Sequence, residues 1–82
     1  MSTTQTLALA LIELLIADNI DVAFRGNDSV IFFYGKEYNI ALSERFQSIS
    51  FYRLDPCEDR SANARDYINR PQELIKMLTR TR

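Results

Sequence analysis

Eighty-two residues make one small domain, too short for a catalytic core with a separate regulatory unit. With 46% hydrophobic and 26% charged residues the chain is of ordinary globular composition, which argues against disorder and collagen-like repeats. Histidine is absent, Cys57 is the single cysteine and the net charge is −1, so imidazole-dependent catalysis and the usual Cys/His zinc sites are excluded by inventory.

Ser2, Thr3 and Thr4 offer N-cap oxygens ahead of an apolar run, Leu7 to Ala17, built mostly from strong helix formers. At 100° per residue, Leu7, Leu11, Leu14 and Leu15 share one face and Leu9, Ile12 and Ile16 an adjacent one. The apolar arc covers roughly 220°, twice what an ordinary surface helix needs. Asn19 suits the left-handed position that closes such a helix. The run is eleven residues long and carries Glu13, too short to span a bilayer, and no basic stretch precedes it, so neither a membrane anchor nor a signal peptide is expected. A lone cysteine fits a reducing compartment, and a cytoplasmic location is expected.

The period then changes to two. Asp21 to Arg25, Ser29 to Tyr34 and Tyr38 to Leu42 read as strands separated by Gly26-Asn27-Asp28 and Gly35-Lys36, the signature of an antiparallel meander. In the middle strand Val30, Phe32 and Tyr34 take one face, Ile31 and Phe33 the other. Ser43 to Gln47 is a turn or a short helical turn, and Ser48 to Leu54 predicts a fourth strand, stopped by Asp55-Pro56. Cys57 to Arg70 is polar and reads as a loop or short helix anchored by Tyr67 and Ile68. Pro71 suits a first helical position, and Leu74, Ile75 and Leu78 then fall on one face of a closing helix. The prediction is a single α+β domain over 1–82, ordered α-β-β-β-β-α with a three- to four-stranded meander, and with frayed ends at 1–5 and 79–82.

Gly26 and Gly35 lie too far apart for a phosphate-binding loop. Asp55, Glu58 and Asp59 leave carboxylate acid/base catalysis formally open, but a solvated acidic turn is the commoner meaning of such a run. No cofactor or metal is expected. What stands out instead is apolar surface: one sheet face meets the first helix, and because Ile31 and Phe33 point away from Val30 and Phe32, the other face leaves aromatic area in water unless the closing helix, the 57–70 segment or a partner covers it. Charge is also unevenly spread. Residues 1–59 carry four basic and nine acidic groups, a sum of −5, whereas residues 60–82 carry six basic and two acidic, a sum of +4.

The expectation is a non-enzymatic protein-binding module, an inhibitor or regulator of a larger protein, self-associating as a homodimer through Leu9, Ile12 and Ile16. Tyr52, Arg53, Arg60, Arg65, Tyr67 and Arg70 are of the types enriched at contact hot spots and are the candidate partner contacts. The alternative is a small nucleic-acid-binding regulator in which Arg60, Arg65, Arg70 and the basic C-terminus hold phosphate and Tyr67 stacks on a base. The bland reading of the same charges is a basic segment lying on the acidic body of its own chain.

Overall fold

The computed structural model describes residues 2–54 and 56–80 and has the expected α+β architecture. Helix α1 (Thr3–Ala17) is followed by strands β1 (Ala23–Gly26), β2 (Val30–Tyr34), β3 (Asn39–Ser43), β4 (Ser48–Leu54) and β5 (Cys57–Asn63), a 3-10 turn (Ala64–Tyr67) and helix α2 (Pro71–Thr79). The strands form one open antiparallel sheet in the order β1-β2-β3-β4-β5, each paired only with its chain neighbours.

Helix α1 begins earlier than the apolar run because Ser2 supplies a complete capping box. Its side chain accepts from the Gln5 N–H, and the Gln5 side chain accepts from the Ser2 N–H. Residues 2–5, expected to fray, are thus helical from Thr3. Thr4 is also buried, its N–H and hydroxyl both donating to Gln47 Oε1 at 2.9 and 3.0 Å. At the other end Asn19 takes the left-handed conformation with φ 52°. The N–H groups of Asn19 and Ile20 reach back to the Ile16 and Leu15 carbonyls, satisfying two carbonyls the helix leaves free.

All the cover lies on one side of the sheet. Leu7, Leu11 and Leu15 of α1 and Leu74, Ile75 and Leu78 of α2 join Phe33, Ile40, Leu42, Ile49 and Phe51 in a single buried cluster. The 3-10 turn adds Ala64, and Tyr67 packs on Phe51 with ring centroids 5.9 Å apart. Pro71 opens α2 as expected, and Arg80 leaves it in extended conformation. Residues 81–82 of the expected frayed end lie outside the described residues.

The segment from Cys57 corrects the expected loop or short helix. Its first half is β5, paired with β4 along seven registered positions from Leu54↔Cys57 to Ser48↔Asn63. The sequence Cys-Glu-Asp-Arg-Ser-Ala-Asn has little strand preference of its own. An edge strand, however, needs only one partner's backbone, and β4 offers a full row of ladder groups. Polar residues also suit an exposed edge, where they discourage further pairing.

Candidate interaction surface

Alternation along the strands assigns every side chain to one of two sides, and the uncovered side is aromatic. Besides a four-strand row of Val30, Ser43, Ser48 and Asn63, two rows cross all five strands on this side. One is Ala23, Tyr34, Asn39, Tyr52 and Asp59, and the other Arg25, Phe32, Ala41, Ser50 and Ser61. Phe32, Tyr34 and Tyr52 are 37%, 46% and 41% exposed. Phe32 and Tyr34 stack on each other at 6.3 Å with 19° between their planes. Toward the β1 edge the two rings, with Arg25, Gly26 and Asn27, bound an open hollow of about 340 Å³. Arg25 and Asp59 are the charged residues of these two rows, at opposite edges of the sheet, and neither forms an ion pair among the described residues.

Self-association was expected through Leu9, Ile12 and Ile16 on α1. Leu9 and Ile16 are exposed, Ile16 at 72%, while Ile12 is half-buried against the core. This second apolar surface lies on the helical side of the molecule, away from the aromatic rows.

The six residues expected as partner contacts do not come together. Tyr52 faces the open side, and Arg53, the next residue along the strand, faces the other. There Arg53 reaches Glu37 at 3.0 Å and Glu58 at 3.3 Å and lies 4.9 Å above the Tyr38 ring. Arg60 pairs with Glu58 at 3.0 Å and stacks over Phe51 at 4.4 Å. Arg70 pairs with Glu73 at 2.9 Å and stacks over Tyr67 at 4.7 Å. Tyr67 is half-buried between Phe51 and Arg70, so neither of those contacts leaves its ring a free platform. Arg65 is exposed on the 3-10 turn. Much of the basic segment is therefore spent on the chain's own carboxylates and rings, and Arg80, 3.9 Å from Glu37, continues the pattern.

Glu58 is the hub of this network. The Tyr38 hydroxyl donates to it at 2.7 Å, and that bond, aided by Arg60 and Arg53 and opposed by partial burial, holds its carboxyl below the ordinary value of 4.5. The same bond pushes the Tyr38 hydroxyl above 10. Of the acidic run once considered for catalysis, Asp55 lies outside the described residues. Glu58 and Asp59 point to opposite sides of β5, so they do not form a carboxylate pair. Among the described residues no group of three or more acidic or cysteine side chains is placed to hold a metal ion, and no helix is long and apolar enough to cross a membrane.

Alternation in residues 30–34 already separated Phe32 and Tyr34 from Phe33. Arg25 and Asp59 carried no signal, because their place on this face depends on pairings that single-strand patterns do not give. Comparison with protein-family models, with curated proteins and with solved structures finds no match for this chain in any of the three.

Proposed function

We propose that this chain acts by binding other protein chains, without chemistry of its own, as a regulator or inhibitor of a larger protein. The observation that carries this reading is apolar surface on opposite sides of the molecule: Phe32, Tyr34 and Tyr52 on the bare sheet face, and Leu9 and Ile16 on α1. A small domain that leaves aromatic residues together on one bare face gains by covering them with a partner. Nucleic-acid binding has less support. Arg60 and Arg70 are engaged with carboxylates and rings, the body of the chain is acidic, and a phosphate backbone would compete with Glu58 and Glu73 for them.

The α1 surface is the one assigned to a different protein. No basic residue occurs in positions 1–24, so a two-fold pairing of α1 with itself along this stripe brings Glu13 toward Glu13 without compensation.

The test is capture by the immobilised chain from its native cell, compared across two variants. Leu9→Asp with Ile16→Asp is expected to abolish capture of the partner. Arg60→Glu with Arg65→Glu is expected to leave it largely intact. Capture that survives the α1 change and disappears with the arginine change, or with nuclease treatment, overturns the reading in favour of nucleic acid.

A further inference from the structure

We propose that the bare face of the sheet is where two copies of this chain meet, stacked face to face about a two-fold axis running along the strands. The proposal rests on the reading of the chain as an interaction module, names a second copy as one occupant, and leaves α1 for the other.

The two five-strand rows complement themselves across such an axis. A two-fold axis along β3 lays β1 over β5 of the second copy and β2 over its β4. Tyr34 then meets Tyr52, an aromatic pair made twice. Phe32 meets Ser50, so the bulkiest residue of its row lies over one of the smallest. Ala41, on the axis, lets the sheets approach at the centre.

Charge selects the same axis. Arg25 sits on β1 and Asp59 on β5, separated by four strand spacings, about 19 Å. With the axis along the strands, each Arg25 comes over the opposite edge, one step of about 6.8 Å along the strand from the second copy's Asp59. At a sheet separation of about 10 Å the two Cα atoms are about 12 Å apart, a gap that an extended arginine and an aspartate span. With the axis across the strands, β1 lies over β1 and β5 over β5, and each charged edge meets its own charge. One orientation is attractive at both edges and the other is repulsive at both.

Area sets the strength. Five strands about 4.8 Å apart and about 20 Å of their length give a footprint of roughly 500 Å² per copy, or about 1,000 Å² in all. That is the lower end for a specific interface, so a dissociation constant in the micromolar range is expected.

Sedimentation velocity on the full chain from about 1 to 500 µM tests this range. The expected result is a mass rising from 9.5 kDa toward twice that value with concentration. Arg25→Asp and Asp59→Arg are exposed changes that leave the core untouched, and each is present twice in a dimer. Either alone is expected to weaken association about tenfold, and the two together to restore it to within about threefold of the original. A chain monomeric throughout, a dimer indifferent to both reversals, or a dimer dissolved by Leu9→Ser with Ile16→Ser overturns the proposal. A strictly monomeric chain that still captures a partner through α1 removes this dimer and leaves the interaction reading standing. A dimer that responds to the reversals but captures nothing sustains the dimer and removes the second partner.

Discussion

Gly35 is where the β2–β3 turn touches the last turn of α2, and replacing it with alanine is expected to be the costliest small change on the surface of the fold. Its N–H donates to the Tyr38 carbonyl at 3.0 Å, and the next N–H, of Lys36, donates to the Leu78 carbonyl at 3.1 Å. A Cβ at position 35 would lie 2.6 Å from Leu78 O, 2.8 Å from Leu78 Cα and closer still to Tyr38 O. All three are backbone atoms, so no side chain can rotate away, and the turn must separate from α2. Overpacking of this kind costs about 1–3 kcal/mol. Losing the two hydrogen bonds adds about 0.5–1.5 kcal/mol each, for a total near 4 kcal/mol. A chain of this length has roughly 4–12 kcal/mol to lose. Gly26→Ala is the internal control: its Cβ meets Ile31 Cγ1 at 3.1 Å, a side-chain atom that has to give by only a few tenths of an ångström, and a cost under about 1 kcal/mol is expected. Neither glycine has a positive φ, so the contrast isolates close approach from backbone conformation. Urea unfolding followed by circular dichroism measures both. A Gly35→Ala variant within 1 kcal/mol of the original, or a Gly26→Ala variant as damaged as it, refutes the reasoning.

Gln47→Ala removes the acceptor shared by the Thr4 N–H and hydroxyl, and also the side-chain donor to the Glu44 carbonyl at 2.6 Å. It is expected to cost about 2–3 kcal/mol in the same unfolding assay. Leu74→Ala, at a fully buried site of α2 in the core cluster, is expected to cost about 3 kcal/mol and to lower the thermal midpoint by more than 10 °C. The Tyr38–Glu58 bond gives a pH signature with two edges. Glu58, lowered in the fold, contributes stability above pH 4.5 that is lost as pH falls through its folded value. Tyr38, raised in the fold, contributes stability below pH 10 that is lost as pH rises toward its folded value. The stability gap between the original chain and Tyr38→Phe is therefore expected to be widest near neutrality and to narrow at both extremes; a gap constant from pH 3 to 11 contradicts this. Leu54 is 91% exposed at the end of β4, and Leu54→Ser is expected to change stability by less than about 0.5 kcal/mol.

Much of the fold was legible in the residues. The left-handed Asn19, the start of α2 at Pro71 and the strands around the two glycine turns follow from local chemistry, which acts within a few residues. Strand β5 was not legible, because its formation depends on the ladder of β4 and hardly at all on its own side chains. The candidate surface divides in the same way. Alternation separates Tyr34 from Phe33 and Arg53 from Tyr52, but that Tyr34 and Tyr52 share a side follows from the pairing of β2, β3 and β4. The engagement of Arg60 and Arg70 with Phe51 and Tyr67 is tertiary, and spacing along the chain made those arginines look available when folding had already occupied them. Gly35 was read as a turn residue, whereas what demands glycine there is the backbone of Leu78, more than forty positions away.

The strict neighbour-to-neighbour order of the sheet bears on how the chain assembles. Every strand pair closes across a short loop, which costs little entropy, whereas α1 reaches α2 only when nearly the whole chain has been drawn together. Hairpins are thus expected to zip before the helices settle, and until they do Phe33, Ile40 and Phe51 are as bare as Phe32 and Tyr34. During synthesis α2 emerges after α1 and the sheet, so a chain still missing it presents apolar residues on both sides of its sheet. The interval before α2 docks is when this protein most needs dilution or a chaperone.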